Sequence, residues 1–278
     1  MSGTLFLVAV PIGNLGDITL RALETLRGVD LVAVEDTRHF ATLARAHGFR
    51  ARTVSLHEHN EEGRVPELLA RLRAGEDVAI VSDAGTPLVS DPGYRLVTEA
   101  LAEGLAVTSL PGPSAITTAL AAAGLPPVPF RFCGFAPRAA GPRRAFYEAI
   151  ARETATLVVF EAPHRLLDSL HDAWAALGNR PACLGRNLTK PHERYQRGRL
   201  DELIAALSDE EVVRGECTLL IGGADAATAN AEIETGERAA QVLLGEGAPP
   251  RAVVALLTSV MGLSRRRAYE LAHRRRAP

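Results

Sequence analysis

Five short stretches hold most of the chemistry this 278-residue sequence could perform. They are Pro11-Ile12-Gly13, Glu35-Asp36-Thr37-Arg38-His39, His57-Glu58-His59-Asn60-Glu61, Ser82-Asp83-Ala84-Gly85 with its continuation to Gly93, and Pro111-Gly112-Pro113-Ser114-Ala115. The first, fourth and fifth are pre-set by proline, and each has a glycine at which a ligand can approach closely. The other two carry carboxylates, imidazoles and an amide, the groups that hold or move a proton. Singly, each stretch also suits an ordered turn. Together they make a case for a ligand cleft, because all five follow the same kind of element.

That element is a short apolar run. Residues 5–10, 31–34, 53–56, 78–81 and 107–110 read as buried strands, and helical patterns separate them. Asp17 and Ser114 stand where N-caps would, and Gly28, Gly48, Gly75, Gly104 and Gly124 stand where helices would stop. Strands alternating with helices at this pitch predict a parallel α/β sheet with its ligand at the carboxyl ends of the strands. The first turn is not a dinucleotide fingerprint, because its glycines are spaced G-x-x-G after a proline. Pro126, Pro127 and Pro129 mark a boundary. Beyond it, strand-like pieces at 130–135, 157–161, 182–184 and 218–221 and a helix at 165–177 predict an α+β second domain of mixed sheet, with a basic loop carrying Arg138, Arg143 and Arg144. The divisions expected are an N-terminal α/β domain over 1–125, a second domain over 126–223, a linker at 224–235, and a helical tail within 236–278. The tail has helices at about 251–260 and 265–274, and Ser264 caps the second. This is helix-turn-helix spacing, with Arg265, Arg266 and Arg267 opening the second helix. The same spacing suits a helical cap or dimerisation element.

Hydrophobic content of 47% and charged content of 23% are those of an ordinary globular protein with a sizeable core. The net charge of −2 is unevenly placed. Residues 251–278 hold seven arginines against one acid, Glu270, so the tail carries +6 and the other 250 residues −8. A basic tail on an acidic body suggests contact with a polyanion. Cys133, Cys183 and Cys217 are far apart and sit in or beside apolar runs, which predicts free thiols and neither a disulfide framework nor a zinc site. The first four residues lack the basic region of a signal peptide, and no apolar run has the length of a membrane span, so a cytoplasmic protein with no membrane partner is expected.

Seven motifs together carry a resemblance. Residues 10–19, Glu35-Asp36-Thr37-Arg38, Leu56-His57-Glu58-His59-Asn60-Glu61, residues 82–93, residues 111–115, Gly134-Phe135-Ala136-Pro137 and Glu161-Ala162-Pro163-His164-Arg165 resemble the signature set of the 16S ribosomal RNA cytidine 2′-O-methyltransferase family. That family is a branch of the tetrapyrrole (corrin/porphyrin) methylase superfamily. The match runs in order from about residue 5 to 222.

The resemblance implies a two-domain tetrapyrrole-methylase-like fold, S-adenosylmethionine as donor in a cleft between the domains, a homodimer, and a cytidine ribose of the decoding region as acceptor. It implies that Pro11, Ile12 and Gly13, then Ser82, Asp83, Ala84 and Gly85, then Ser114 and Ala115 hold the donor, with Thr189 and Lys190 closing the site. Methyl transfer is an in-line displacement that needs collinear reactants and a nearby proton acceptor, but no metal. Asp36, Arg38, His59 and Asn60 are the candidates for acid/base work or acceptor positioning. Asp36 and Arg38 also suit a structural ion pair, His57 suits packing, and Asp83 and Asp91 suit capping of amides within their own loop. Arg138, Arg143, Arg144 and the three tail arginines are the candidates for RNA phosphates. Histidines aside, every basic side chain except Lys190 is arginine. Asn187 stands where the family usually has glutamate.

Overall fold

The structure is a computed structural model and describes residues 2–210, 214–260 and 265–273, without the side chains of 226–234, 236 and 265–267. The first half alternates strictly: β1 (Thr4–Val8), α1 (Leu20–Gly28), β2 (Leu31–Val34), α2 (Thr37–Ala46), β3 (Thr53–Ser55), α3 (Glu61–Arg73), β4 (Val78–Val81), α4 (Tyr94–Ala102), β5 (Ala106–Leu110) and α5 (Ala115–Ala122). The five strands form one parallel sheet in the order β3-β2-β4-β1-β5. β4 therefore lies between β1 and β2, and chain connections leave in opposite directions around it. In open parallel sheets, ligands bind at such a switch point. β2 and β4 are buried along their whole length, as strands covered on both faces must be. One face packs Leu23, Leu26, Phe40 and Leu43 of α1 and α2. The other packs Val65, Leu68, Leu72 and Leu96 of α3 and α4.

The second half contains β6 (Phe130–Phe135), α6 (Ala140–Ala149), β7 (Thr156–Glu161), α7 (Leu166–Leu177), β8 (Pro181–Arg186), β9 (Arg194–Arg199), α8 (Leu200–Ser208) and β10 (Cys217–Ile221). Its sheet runs β6-β7-β10-β8-β9, with β6 and β7 parallel and the other pairs antiparallel. One face is covered by Tyr147, Leu166, Leu170 and Leu203 of α6, α7 and α8. The opposite face is covered by the first half of the chain: Ile12, Ala119, Leu120 and Ala123 pack on Val158, Cys183, Leu188 and Leu220. That shared core sets the carboxyl end of β7 and the start of β10 opposite the first sheet.

Four expectations change. Asn14, not Asp17, makes the first cap, of a single 3-10 turn, and Thr19 then caps α1 through a bond from Ala22 N. The basic loop is helix α6 from Ala140 onward, since Gly141 and Pro142 fall in a first turn whose amides have no intrahelical partner. The linker at 224–235 is instead the start of α9 (Ala226–Gly245). Ser114 stands at the N-cap of α5, but its side chain makes no capping bond. The tail helices α10 (Pro250–Ser259) and α11 (Arg265–Ala272) pack with α9 around Ala240, Val253, Leu257 and Leu271. Residues 261–264, including the expected cap Ser264, lie outside the described residues. Among the described residues, no helix is long and apolar enough to cross a membrane, and no three metal-ligating side chains gather. Cys133, Cys183 and Cys217 are unpaired.

Candidate active site

A cavity of about 390 Å³ opens between the two halves, at the carboxyl ends of β1, β4 and β5 on one side and of β7 on the other. It falls within the size range of small-molecule pockets. The first-half wall is Ile12, Ala84 to Thr86, Val89 to Asp91, and Ser114 to Ile116. The second-half wall is Phe135, Phe160 to Pro163, and Gly215 to Thr218.

The 82–93 stretch is tied at four points, so its shape is fixed. Gly85 and Val10 exchange both backbone bonds, Val10 N to Gly85 O at 2.9 Å and Gly85 N to Val10 O at 3.0 Å. Gly85 has φ +77, and a Cβ there would meet Ile12 Cγ2 at 3.3 Å. Thr86 Oγ1 donates to Pro113 O at 3.2 Å, and Gly93 N donates to the Glu61 carboxylate at 3.1 Å. Ser82 Oγ donates to Ala84 O at 3.2 Å. Between these ties Leu88 and Ser90 are both held at φ +71, a left-handed conformation that costs of order 1 kcal/mol or more in residues with a Cβ. Strain of this kind persists where the surroundings over-determine the backbone, and here the strained residues flank the cavity-lining Val89.

Several residues expected at the donor do other work. The amide of Gly85 is spent on Val10 O, and its carbonyl already accepts from Val10 N. Asp83 does not line the cavity; its carboxylate accepts from Asp36 N at 3.0 Å and lies 3.0 Å from His39 Nδ1, bracing the ends of β2 and β4. Gly13 is bare because the second half presses on it: a Cβ would lie 2.4 Å from Lys190 Cγ and 2.9 Å from Leu188 O. Thr189 Oγ1 accepts from Asn14 N at 3.1 Å across the same contact. Thr189 and Lys190 therefore clasp the two halves together. Lys190 Nζ reaches the cavity-lining Glu216 at 2.6 Å. Asn187 opens this turn at φ +53, a conformation asparagine tolerates, with its side chain against Gly215. Ile12, Ala84, Ser114 and Ala115 do line the cavity, and the first turn of α5 opens onto it.

None of the four acid/base candidates lines the cavity; they sit at the ends of β2 and β3. Arg38 grips the Asp36 carboxylate with Nη2 at 2.5 Å and Nε at 3.1 and 3.2 Å, and that guanidinium holds the carboxyl well below the usual range. Asp36 also caps α2 through Arg38 N at 2.8 Å. The Asn60 amide is fully engaged in its own turn, accepting from His57 N at 2.9 Å and donating to Ser55 O and Oγ at 3.1 Å. His59 is exposed. Arg138 is exposed too, but Arg143 is buried, its Nε 2.7 Å from Asp172, and its Nη1 donates to Arg138 O. Arg143 thus positions its neighbours and presents no charge to solvent, while Arg144, bonded to the same Asp172 at 3.1 Å, remains exposed. The side chains of Arg265, Arg266 and Arg267 lie outside those described.

Among the described residues, four ionisable groups line the cavity, Asp91, Glu161, Glu216 and Cys217; from sequence Asp91 suits a loop cap, Glu161 falls within a motif and Cys217 is a free thiol, and none of the four is marked as a site group. Glu161 is enclosed, with its Oε1 2.7 Å from Arg165. Burial pushes the Cys217 thiol up to about 11, so it stays protonated. Burial, with help from the charges of Glu35 and Asp83, pushes Asp91 up to about 6, against the opposing effect of the nearby Ser82 hydroxyl. Phe135 is 55% exposed and packs edge-on against Phe160, with ring centroids 5.4 Å apart.

Comparison with known proteins agrees with this architecture. The family described as Tetrapyrrole (Corrin/Porphyrin) Methylases matches residues 4–204, and the chain belongs to that family of methyltransferases. Among solved structures, uroporphyrin-III-C-methyltransferase from Thermus thermophilus superposes with a TM-score of 0.57 at 23% identity, covering 79% of this chain and 94% of that one. A diphthine synthase does so with a TM-score of 0.61 at 18% identity, covering 80% and 90%. At those identities the likeness is one of fold. Sequence relatives narrow it: a ribosomal RNA small subunit methyltransferase I from Micromonospora olivasterospora is 50% identical over 269 residues, 97% of this chain and 86% of that protein. The protein of that name from Escherichia coli O157:H7 is 43% identical over 272 residues, 97% and 94%. These relatives set the chain in the ribosomal RNA small subunit methyltransferase I branch.

Proposed function

We propose that this protein transfers a methyl group from S-adenosylmethionine to the ribose 2′-hydroxyl of a cytidine in the decoding region of 16S ribosomal RNA, working in the cytoplasm as a homodimer on the RNA or the small ribosomal subunit. The observation that carries the reading is the cavity itself: a nucleoside-sized space at the switch point of a parallel sheet, closed by a second domain, in a chain whose near-full-length relatives are named for ribosomal RNA methylation. The donor suits it. Ile12, Ala84 and Ala115 offer apolar contact, and Phe135 and Phe160 offer aromatic surface to a purine. The first turn of α5 offers unpaired amides to a carboxylate. The donor supplies a methyl group on positively charged sulfur, ready for displacement.

The chain's own residues then orient and enclose. Thr189 and Lys190 hold the second half against Gly13 and Asn14, which fixes the distance between the two walls. Asp36, Arg38 and His59 form a polar shelf along the strand ends, outside the cavity, where RNA would lie; Arg138 and Arg144 extend a basic surface on the second half. The basic tail adds charge for phosphate. The test is incubation with labelled S-adenosylmethionine and either small ribosomal subunits or tetrapyrrole intermediates. Label in a cytidine ribose supports the reading. Label in tetrapyrrole replaces it with a small-molecule methylase, and donor binding without transfer replaces it with a non-catalytic RNA-binding protein.

A further inference from the structure

The proposed reaction releases a proton from the acceptor hydroxyl, and the cavity offers few places for it. Among the described residues that line it, four have ionisable side chains. Glu161 has a side chain with no exposed surface, and its Oε1 is paired with the Arg165 guanidinium, which holds it as a structural anion. Glu216 is occupied by Lys190 at 2.6 Å. Cys217 is 4% exposed and protonated. Asp91 differs on each count. It is partly open to the cavity, with the Ser82 hydroxyl close to it. Among the described residues no arginine, lysine or histidine forms an ion pair with it, and the charged groups facing it are the carboxylates of Glu35 and Asp83. Around those two stand Glu58 beside Glu35, Arg38, and the His39 imidazole, which lies 3.0 Å from the Asp83 carboxylate. The loop that carries Asp91 is tied at Gly85, Thr86 and Gly93 and held left-handed at Leu88 and Ser90, so the carboxylate is fixed at the wall.

Resting on the proposed methyl transfer, we infer that Asp91 is a catalytic residue, the group that takes the proton from the acceptor hydroxyl. The acceptor oxygen gains the methyl carbon, the donor's carbon–sulfur bond breaks with its electron pair left on sulfur, and the O–H proton passes to the Asp91 carboxylate and from there to solvent. An acceptor with an affinity near the working pH is suited to this step, because it is ionised before transfer and still binds the proton firmly. A carboxyl held near 6 meets that requirement.

The test compares the wild type with Asp91→Asn, which keeps the shape of the side chain and loses its ability to accept a proton. The measurements are single-turnover methyl transfer to small ribosomal subunits between pH 5 and 9, donor Kd by calorimetry, and the melting temperature of each protein. The expected result is a wild-type rate that rises with pH through about 6 and then levels. In the variant the rate falls about 100- to 10,000-fold, donor Kd stays within about threefold, and the fold is intact. A variant rate within about threefold of wild type overturns the inference, as does an equal loss of donor binding, which would make Asp91 part of the pocket only. Wild-type protein that binds donor and methylates no ribosomal RNA overturns the functional reading and this inference with it.

Discussion

Asp36 and Asp91 are the same residue type at neighbouring strand ends of one sheet, and the structure gives them opposite proton chemistry. Asp36 is gripped by the Arg38 guanidinium and accepts from the Arg38 backbone amide in the first turn of α2, so its carboxyl is held well below the usual range. Asp91 is partly buried, faces Glu35 and Asp83, and has no cation paired with it among the described residues, so it is pushed up to about 6. A carboxylate held as an anion by its own arginine braces a turn or meets a partner by charge; one denied a cation can exchange a proton near neutral pH. The difference separates a shelf at the ends of β2 and β3 from a cavity at the ends of β1, β4 and β5.

The comparison can be broken by substituting both carboxylates. Asp36→Asn is expected to leave the single-turnover rate at saturating RNA within about tenfold of wild type, against a loss of about 100-fold or more for Asp91→Asn; equal losses in rapid-quench assays would erase the distinction. The cavity rim is tested by Lys190→Arg. Gly13 packs on the Lys190 stem, and Glu216 meets a compact ammonium that a planar fork does not reproduce. Calorimetry should show donor affinity weakened about tenfold, equivalent to about 1.4 kcal/mol, although the charge is kept. Gly85→Ala sharpens the loop's part in the cavity: at φ +77 an alanine should cost about 1–2 kcal/mol in urea unfolding, because the Val10 pairing holds the backbone there. On the shelf, His59→Ala should raise KM for RNA a few-fold and leave kcat and donor affinity unchanged.

The smallest effect concerns stability. Because the Asp91 carboxyl is pushed up in the folded state, its protonated form is favoured by folding, and that contribution is present below its unfolded value and lost as pH rises through about 6. Asp91→Asn should therefore melt slightly above wild type at pH 7, and the gain should disappear near pH 4. A variant that melts lower at pH 7 would mean that the carboxylate is stabilising where it stands.

Local pattern carried most of the parallel sheet, because β4, Val78–Val81, is apolar and buried throughout and can be nothing else. β9, Arg194–Arg199, reads R-Y-Q-R-G-R and was not legible: it is an edge strand with only β8 beside it, so nothing required it to be apolar. Helix α6 hid behind Gly141 and Pro142, which mark turns in most contexts but are tolerated in a first helical turn. At the site, sequence found the strand-end turns but not their division of labour. Gly13 and Gly85 were read as room for a ligand, whereas one makes room for Lys190 and the other completes a bridge to Val10. Asp91 was read as a loop cap because caps and catalysts use the same residue. Only the long-range placement that brings β7 and β10 opposite the loop shows which carboxylate faces the cavity.

The most direct test of the account is a crystal structure of the protein with S-adenosylhomocysteine, the demethylated donor. The account predicts the ligand between the 82–93 loop and the carboxyl end of β7, in contact with Ala84 and Ala115, with its sulfur on the side of the cavity where Asp91 stands. A ligand bound along the β2 and β3 ends, with the cavity empty and Asp36 or His59 against its sulfur, would contradict it.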